Sequence, residues 1–149
     1  MWYTSQSILL TKKHNKLTDS TEVQKAALIA ELQQAGIKHT PEKILRIAKL
    51  DNGKIVFLEE GKGGEGGRGL AHILENHQED FMERGIGATQ IIDAVMAAVT
   101  QGQIIGYQKT RSPTPRTIYE VFFDGNIQYI SVTVGDNGYI VGANPAHRP

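Results

Sequence analysis

The segment GLAHILENHQEDF, residues 69–81, sets two histidines five residues apart inside an otherwise amphipathic pattern. Histidine is the side chain best suited to take up and release a proton near neutral pH, since its ordinary pKa is roughly 6.5. A pair of them would serve general acid–base chemistry. The spacing is awkward for that. At about 100° per residue, His72 and His77 point to different sides of a straight helix. With Leu70 as reference, Ile73, Leu74, His77 and Phe81 fall within about 60° of it on an apolar stripe, whereas His72 lies opposite, beside Asn76 and Glu79. His77 is therefore expected to face the protein and His72 to face outward. A histidine on an apolar stripe is commonly a packed residue, and one beside glutamate commonly a surface residue, so both ordinary roles stand beside the chemical one.

Other chemistries fit poorly. His-x4-His is not the i, i+4 pair of a metalloprotease helix, and no third ligand is placed nearby, so no metal site is expected. No GxSxG elbow appears, which disfavours a serine hydrolase. The chain contains zero cysteines, which excludes thiolate nucleophiles, disulfides and cysteine-type zinc sites. The run GKGGEGGRG, residues 61–69, with Lys62 and Arg68 at its flanks, suggests a phosphate cradle. It lacks the Walker spacing and the strand–turn–helix setting of a dinucleotide fingerprint, and is read as a flexible connector.

A second group of candidates lies on strand-like segments. Residues 105–119, IGYQKTRSPTPRTIY, hold Lys109, Arg111 and Arg116 and no acid, a composition that fits either a few phosphate contacts or a solvated loop. A two-residue turn at Asp124-Gly125 would pair Phe123 with Asn126 and Tyr119 with Ile130. Cross-strand partners share a face. One face then carries Thr117, Tyr119, Val121, Phe123, Ile130, Val132 and Val134, which is core. The other carries Arg116, Ile118, Glu120, Tyr129, Ser131 and Thr133. Such a face, with a guanidinium, hydroxyls and no carboxylate cluster, is able to bind a phosphodiester, arginine taking the non-bridging oxygens bidentately. The ordinary alternative is the solvated side of an antiparallel sheet.

The elements that must position these groups follow from the same patterning. A chain of 149 residues with net charge zero has the size of one domain and is no bulk polycation built for nucleic acid. No apolar run is long enough for a membrane span, and no signal-peptide pattern opens the chain. Residues 19–35 read as a helix, with Asp19 and Glu22 at capping-box spacing and Gly36 as the C-terminal cap. Asn52-Gly53 between two β-prone runs reads as a hairpin. Helices are expected at 69–82 and 88–101. Four strands follow: QIIGYQK, RTIYEVFF, IQYISVTV and GYIVG. The expected fold class is α+β: N-terminal helices packed on a twisted antiparallel sheet of about four strands, with an additional N-terminal hairpin.

Taken in order, GLAHILENHQEDF, Gly85-Ile86, IIDAVMAAVTQGQIIGYQ, RTIYEV and VTVGDNGYIVGANPA resemble the C-terminal toxin domains of contact-dependent growth inhibition (CdiA-type) and related polymorphic effectors. These belong to the barnase–EndoU–colicin–RelE ribonuclease superfamily. The resemblance covers roughly residues 40–149. It implies a 41–149 ribonuclease toxin domain, with 1–40 as an N-terminal helical segment for delivery or docking. It further implies a metal-independent endoribonuclease without a cofactor, cutting tRNA or another RNA by 2′-OH attack to leave a 2′,3′-cyclic phosphate. The implied setting is a secreted or cell-surface-delivered antibacterial effector that acts in the target-cell cytoplasm. Its implied partner is a cognate immunity protein; because the site carries no strong positive field, a host activating factor is a further expected partner. The implied catalytic residues are His72, His77, Arg116, Thr133 and Tyr139, with the base and acid unassigned between the histidines. The expected substrate contacts are Lys109 and Arg111 from the basic segment, Tyr129 and Ser131 from the polar sheet face, and Thr117 from the RTIYE motif, although the face pattern sets Thr117 and Tyr119 apart from Arg116. The alternative is a non-catalytic RNA- or protein-binding α+β module on the same fold.

Overall fold

The computed structural model describes residues 21–149. Helix α1 occupies residues 21–34, so the Asp19 half of the expected capping box lies outside the described residues. Its C-terminus closes as expected on Gly36, at φ +71°, with Gly36 N–H donating to Gln33 and Ile37 N–H to Leu32. A short 3-10 turn, Pro41–Lys43, leads into β1 (Ile44–Lys49) and β2 (Ile55–Glu59), an antiparallel hairpin. Leu32 of α1 is buried with Ile44 and Phe57 of that hairpin, and Ile29, Ile37, Ile47, Ile55 and Tyr139 pack around them. The segment after residue 20 is thus fastened to the hairpin by its own small core.

Helix α2 (Gly69–Glu83), a 3-10 turn (Ala88–Gln90) and α3 (Ile91–Gln101) come next, followed by β3 (Gln103–Gln108), β4 (Arg116–Phe123), β5 (Asn126–Val134) and β6 (Ile140–Pro145). The four strands form one antiparallel sheet in sequence order. The α+β layout with its separate hairpin is as expected. So is the β4–β5 register: Tyr119 pairs with Ile130 and Phe123 with Asn126. Asp124 and Gly125 both take positive φ, +49° and +86°, as a tight hairpin turn matched to strand twist demands.

One sheet face is core. Val121, Ile130 and Val132 are buried there with Ile73 and Phe81 of α2 and with Ile91, Ala94, Val95, Ala98 and Val99 of α3. α2 also runs along β6, and Phe57 N–H donates to the Gly138 carbonyl at 3.0 Å, bringing the hairpin to the same edge. No described helix is long and apolar enough to cross a membrane. Phe81 is fully buried where α2 meets the core, so Phe81→Ala is expected to cost about 3–5 kcal/mol, read as a lowered urea midpoint with an unchanged slope.

Candidate functional site

The glycine-rich loop before α2 is an ordered turn rather than a loose connector. Lys62 and Arg68 exchange both backbone N–H···O bonds at 2.9 Å. The Glu75 carboxylate accepts from Gly64 N–H at 3.1 Å, and so occupies a donor that a phosphate cradle would need free. This turn sets where α2 begins. It also sets the surroundings of His72.

His72 does not face outward. A Cβ on Gly67 would stand 2.7 Å from His72 Nδ1, and one on Gly142 of β6 would stand 3.5 Å from its Cδ2. The imidazole is seated between the loop and the last strand. Asn76, one turn on, donates its Nδ2 at 2.9 Å to the His72 carbonyl and lies 3.1 Å from Nδ1. The expected assignment of the two histidines is corrected for a physical reason: α2 packs in two directions. Its apolar stripe meets the core, while Gly69 lies against Glu59 and Gly61 and His72 against Gly142 of β6, contacts that no apolar side chain advertises. His77, on the stripe between Ile73 and Phe81, keeps its side chain 28% exposed and pairs through Nδ1 with Asp80 Oδ2 at 2.9 Å. It belongs to the helix surface and not to the His72 cluster.

Gly142 pairs with Thr133, and Asn144 with Ser131. Arg116 pairs with Gln108 on one side, and the β4–β5 register continued by one residue sets it opposite Thr133. A row therefore crosses the non-core face of the sheet: Gln108, Arg116, Thr133, Gly142, with His72 over its end. Two strand spacings, roughly 10 Å, separate the Arg116 and Gly142 backbones. Arg116 Nη1 donates to Asn144 Oδ1 at 3.5 Å, a long bond, and no carboxylate pairs with it among the described residues. A cation without an acidic partner, a hydroxyl, an amide and an imidazole converge on one patch.

Other expected residues fall elsewhere. Ser131 is 0% exposed and donates to Gln108 Oε1 at 3.2 Å, so it holds the strand surface and offers nothing to a ligand. Thr117 lies on the core face opposite Val132. Tyr129 shares the polar face but pairs with Glu120, away from the His72 end. Lys109 and Arg111 are exposed on the turn between β3 and β4, with Lys109 at φ +53°. Ile118, on the polar face, is buried; its Cδ1 and the Pro149 ring both lie over Gly106. The chain after Ala146, whose N–H donates to the Tyr129 carbonyl at 2.8 Å, thus carries His147 and Arg148 past this face. Neither they nor Asn144 stood out in the sequence, although Asn144 sits inside the GYIVGANP motif.

Tyr139 is placed apart from the row. It stacks edge-on against Phe57, with ring centroids 5.5 Å apart, and its hydroxyl is buried with no hydrogen-bond partner. Burial and then the Glu59 carboxylate raise its pKa above the usual tyrosine value; the Arg68 guanidinium, near but outside hydrogen-bonding geometry, opposes them.

No protein-family model and no curated protein matches this chain.

Among the described residues no three histidine or acidic side chains gather as a metal ligand set would. The position of His72 rests on the missing side chain of Gly67, which two backbone carbonyls, Gly64 at 3.0 Å and Lys62 at 3.1 Å, also crowd. Gly67→Ala is expected to displace the imidazole and to cost about 1–3 kcal/mol. In a histidine-selective NMR spectrum the His72 ring signals should move while those of His77 stay; unmoved His72 signals would refute the seating.

Proposed function

We propose that the chain is an RNA-cleaving toxin domain, a metal-independent endoribonuclease whose expected substrate is tRNA. The observation that supports this best is the convergence of His72, Arg116, Thr133 and Asn144 on the non-core face of the sheet. In the reaction, the ribose 2′-oxygen forms a bond to the adjacent phosphorus and the bond from phosphorus to the 5′-oxygen breaks. The 2′ proton leaves to a base, and the departing 5′-oxygen takes a proton from an acid, giving a 2′,3′-cyclic phosphate and a 5′-hydroxyl. His72 performs one of these proton transfers. Arg116 neutralises the non-bridging oxygens as charge grows on them, and Thr133 and Asn144 supply further donors. His77 takes no part. The remaining proton is exchanged with solvent water at this open face.

The resemblance in motif order supports the wider setting: a delivered antibacterial effector restrained by an immunity protein. Incubation of the full chain with total tRNA in EDTA, with and without cell extract, tests the reading. Fragments ending in cyclic phosphate are the expected result. Intact tRNA under both conditions, with salt-dependent binding retained, would favour a binding module; cleavage abolished by EDTA would remove the metal-independent part.

A further inference from the structure

Gly63 and Gly67 of the turn before α2 lack the left-handed torsions of their neighbours Gly64, at φ +73°, and Gly66, at φ +69°. Backbone torsion therefore does not require glycine at these two positions. Contact does. A Cβ on Gly63 would overlap the Glu75 carboxylate, and a Cβ on Gly67 would stand 2.7 Å from His72 Nδ1. Each glycine is the socket of one α2 side chain, and the two side chains are i, i+3 neighbours on the helix.

The sockets are connected. Gly64 N–H donates to both Glu75 carboxylate oxygens at 3.1 Å, and the Gly64 carbonyl accepts from Gly67 N–H at 3.0 Å. The Lys62–Arg68 pair closes the turn at its ends, and Glu75 fixes its middle. A short path thus runs from the Glu75 carboxylate through the Gly64 peptide to the backbone that walls His72. An exposed glutamate on a helix ordinarily does no more than meet solvent. Here the bond is charge-assisted, which makes it one of the stronger kinds. Substrate binding does not account for it, because a carboxylate repels the phosphates of RNA.

We propose that Glu75 is a positioning residue: by locking the glycine turn it fixes the wall against which His72 is held for proton transfer. This role rests on the ribonuclease reading above.

A cycle of Glu75→Ala, Gly63→Ala and the double variant, with Glu75→Gln beside them, tests it through steady-state RNA cleavage and histidine-selective NMR of the full chain. Glu75→Ala is expected to lower kcat by about 10–100-fold, the scale of a catalytic group displaced by up to an ångström, with KM held within about twofold. Glu75→Gln should recover most of the loss, since its amide oxygen still accepts from Gly64 N–H although the charge is gone. Gly63→Ala pushes aside only the flexible end of the Glu75 side chain, so it should fold like the parent and lose turnover like Glu75→Ala. In the Glu75→Ala background it should cost nothing more, because the nearest atoms its Cβ would meet all belong to Glu75. The His72 ring signals should move in both alanine variants while those of His77 stay.

Unchanged kcat in Glu75→Ala, equal losses in Glu75→Ala and Glu75→Gln, or losses that multiply in the double variant would overturn the role. Should Glu75→Ala not fold, Gly63→Ala decides: lowered kcat with displaced His72 signals supports it, and parent-like turnover overturns it. A parent chain that cuts no RNA would refute the ribonuclease, and the His72 signals would then decide alone whether Glu75 seats the ring. A parent that cuts RNA beside an equally active Glu75→Ala would keep the ribonuclease and remove the brace.

Discussion

His72→Ala is expected to lower RNA cleavage by roughly 10²–10⁴-fold, the usual worth of a positioned acid or base, and to leave the thermal midpoint within a few degrees of the parent. The second half of that expectation follows from the surroundings of the ring. His72 contacts two glycines and its own Asn76, and it is not part of either apolar cluster, so its loss opens no large cavity in the core. His77→Ala is the matched control. It removes a half-exposed ion pair to Asp80, an interaction worth about 0–1 kcal/mol at a surface, and cleavage should stay within about twofold. Rates from the same RNA under single-turnover conditions, with melting curves for both variants, provide the check. Equal losses for the two histidines, or loss with His77 alone, would reverse the assignment made from the seating of His72.

Arg116→Ala carries the second large effect. A guanidinium aimed at oxygens that gain charge in the transition state contributes roughly 10²–10³-fold when removed singly. The structural role of Arg116 is slight, a single long bond to Asn144, so the loss should fall on turnover and not on folding. Arg116→Lys should recover only part of it, because an ammonium keeps the charge but not the planar fork that grips two oxygens together. The double variant with His72→Ala should lose little more than the worse single one if the two groups act on one phosphorane. Losses that multiply would place them on separate steps. Full activity in Arg116→Ala would remove the polar row from the mechanism.

Much of this arrangement is legible in the residues. Alternation along RTIYEVFF and IQYISVTV, broken by Asp124-Gly125, leaves only one pairing that buries Val121, Ile130 and Val132 together, and Arg116 and Thr133 fall on the same face as a consequence. What could not be read is any contact made without apolar residues. His72 meets β6 through Gly142 and the loop through Gly67, and a wheel that counts hydrophobic residues assigns that side to solvent. The hydroxyl of Ser131 looks available in a list of polar residues, yet packing buries it against Gln108. A cavity between the hairpin and β6 is drawn from residues 38–40, 59, 68 and 137–141, four stretches that only the docking of the hairpin against β6 brings together. A site assembled across such distances in the chain leaves no local spacing to find.

The sheet has unequal edges. β6 is overlaid by α2 and bridged to Phe57 at Tyr139, whereas β3 ends the strand order on the other side, with Ile104 and Tyr107 more than half exposed. An open strand is a template for another, and among the described residues no strand pairs with the outer edge of β3. A strand added to this four-stranded sheet would lie along β3, beside Ile104 and Tyr107.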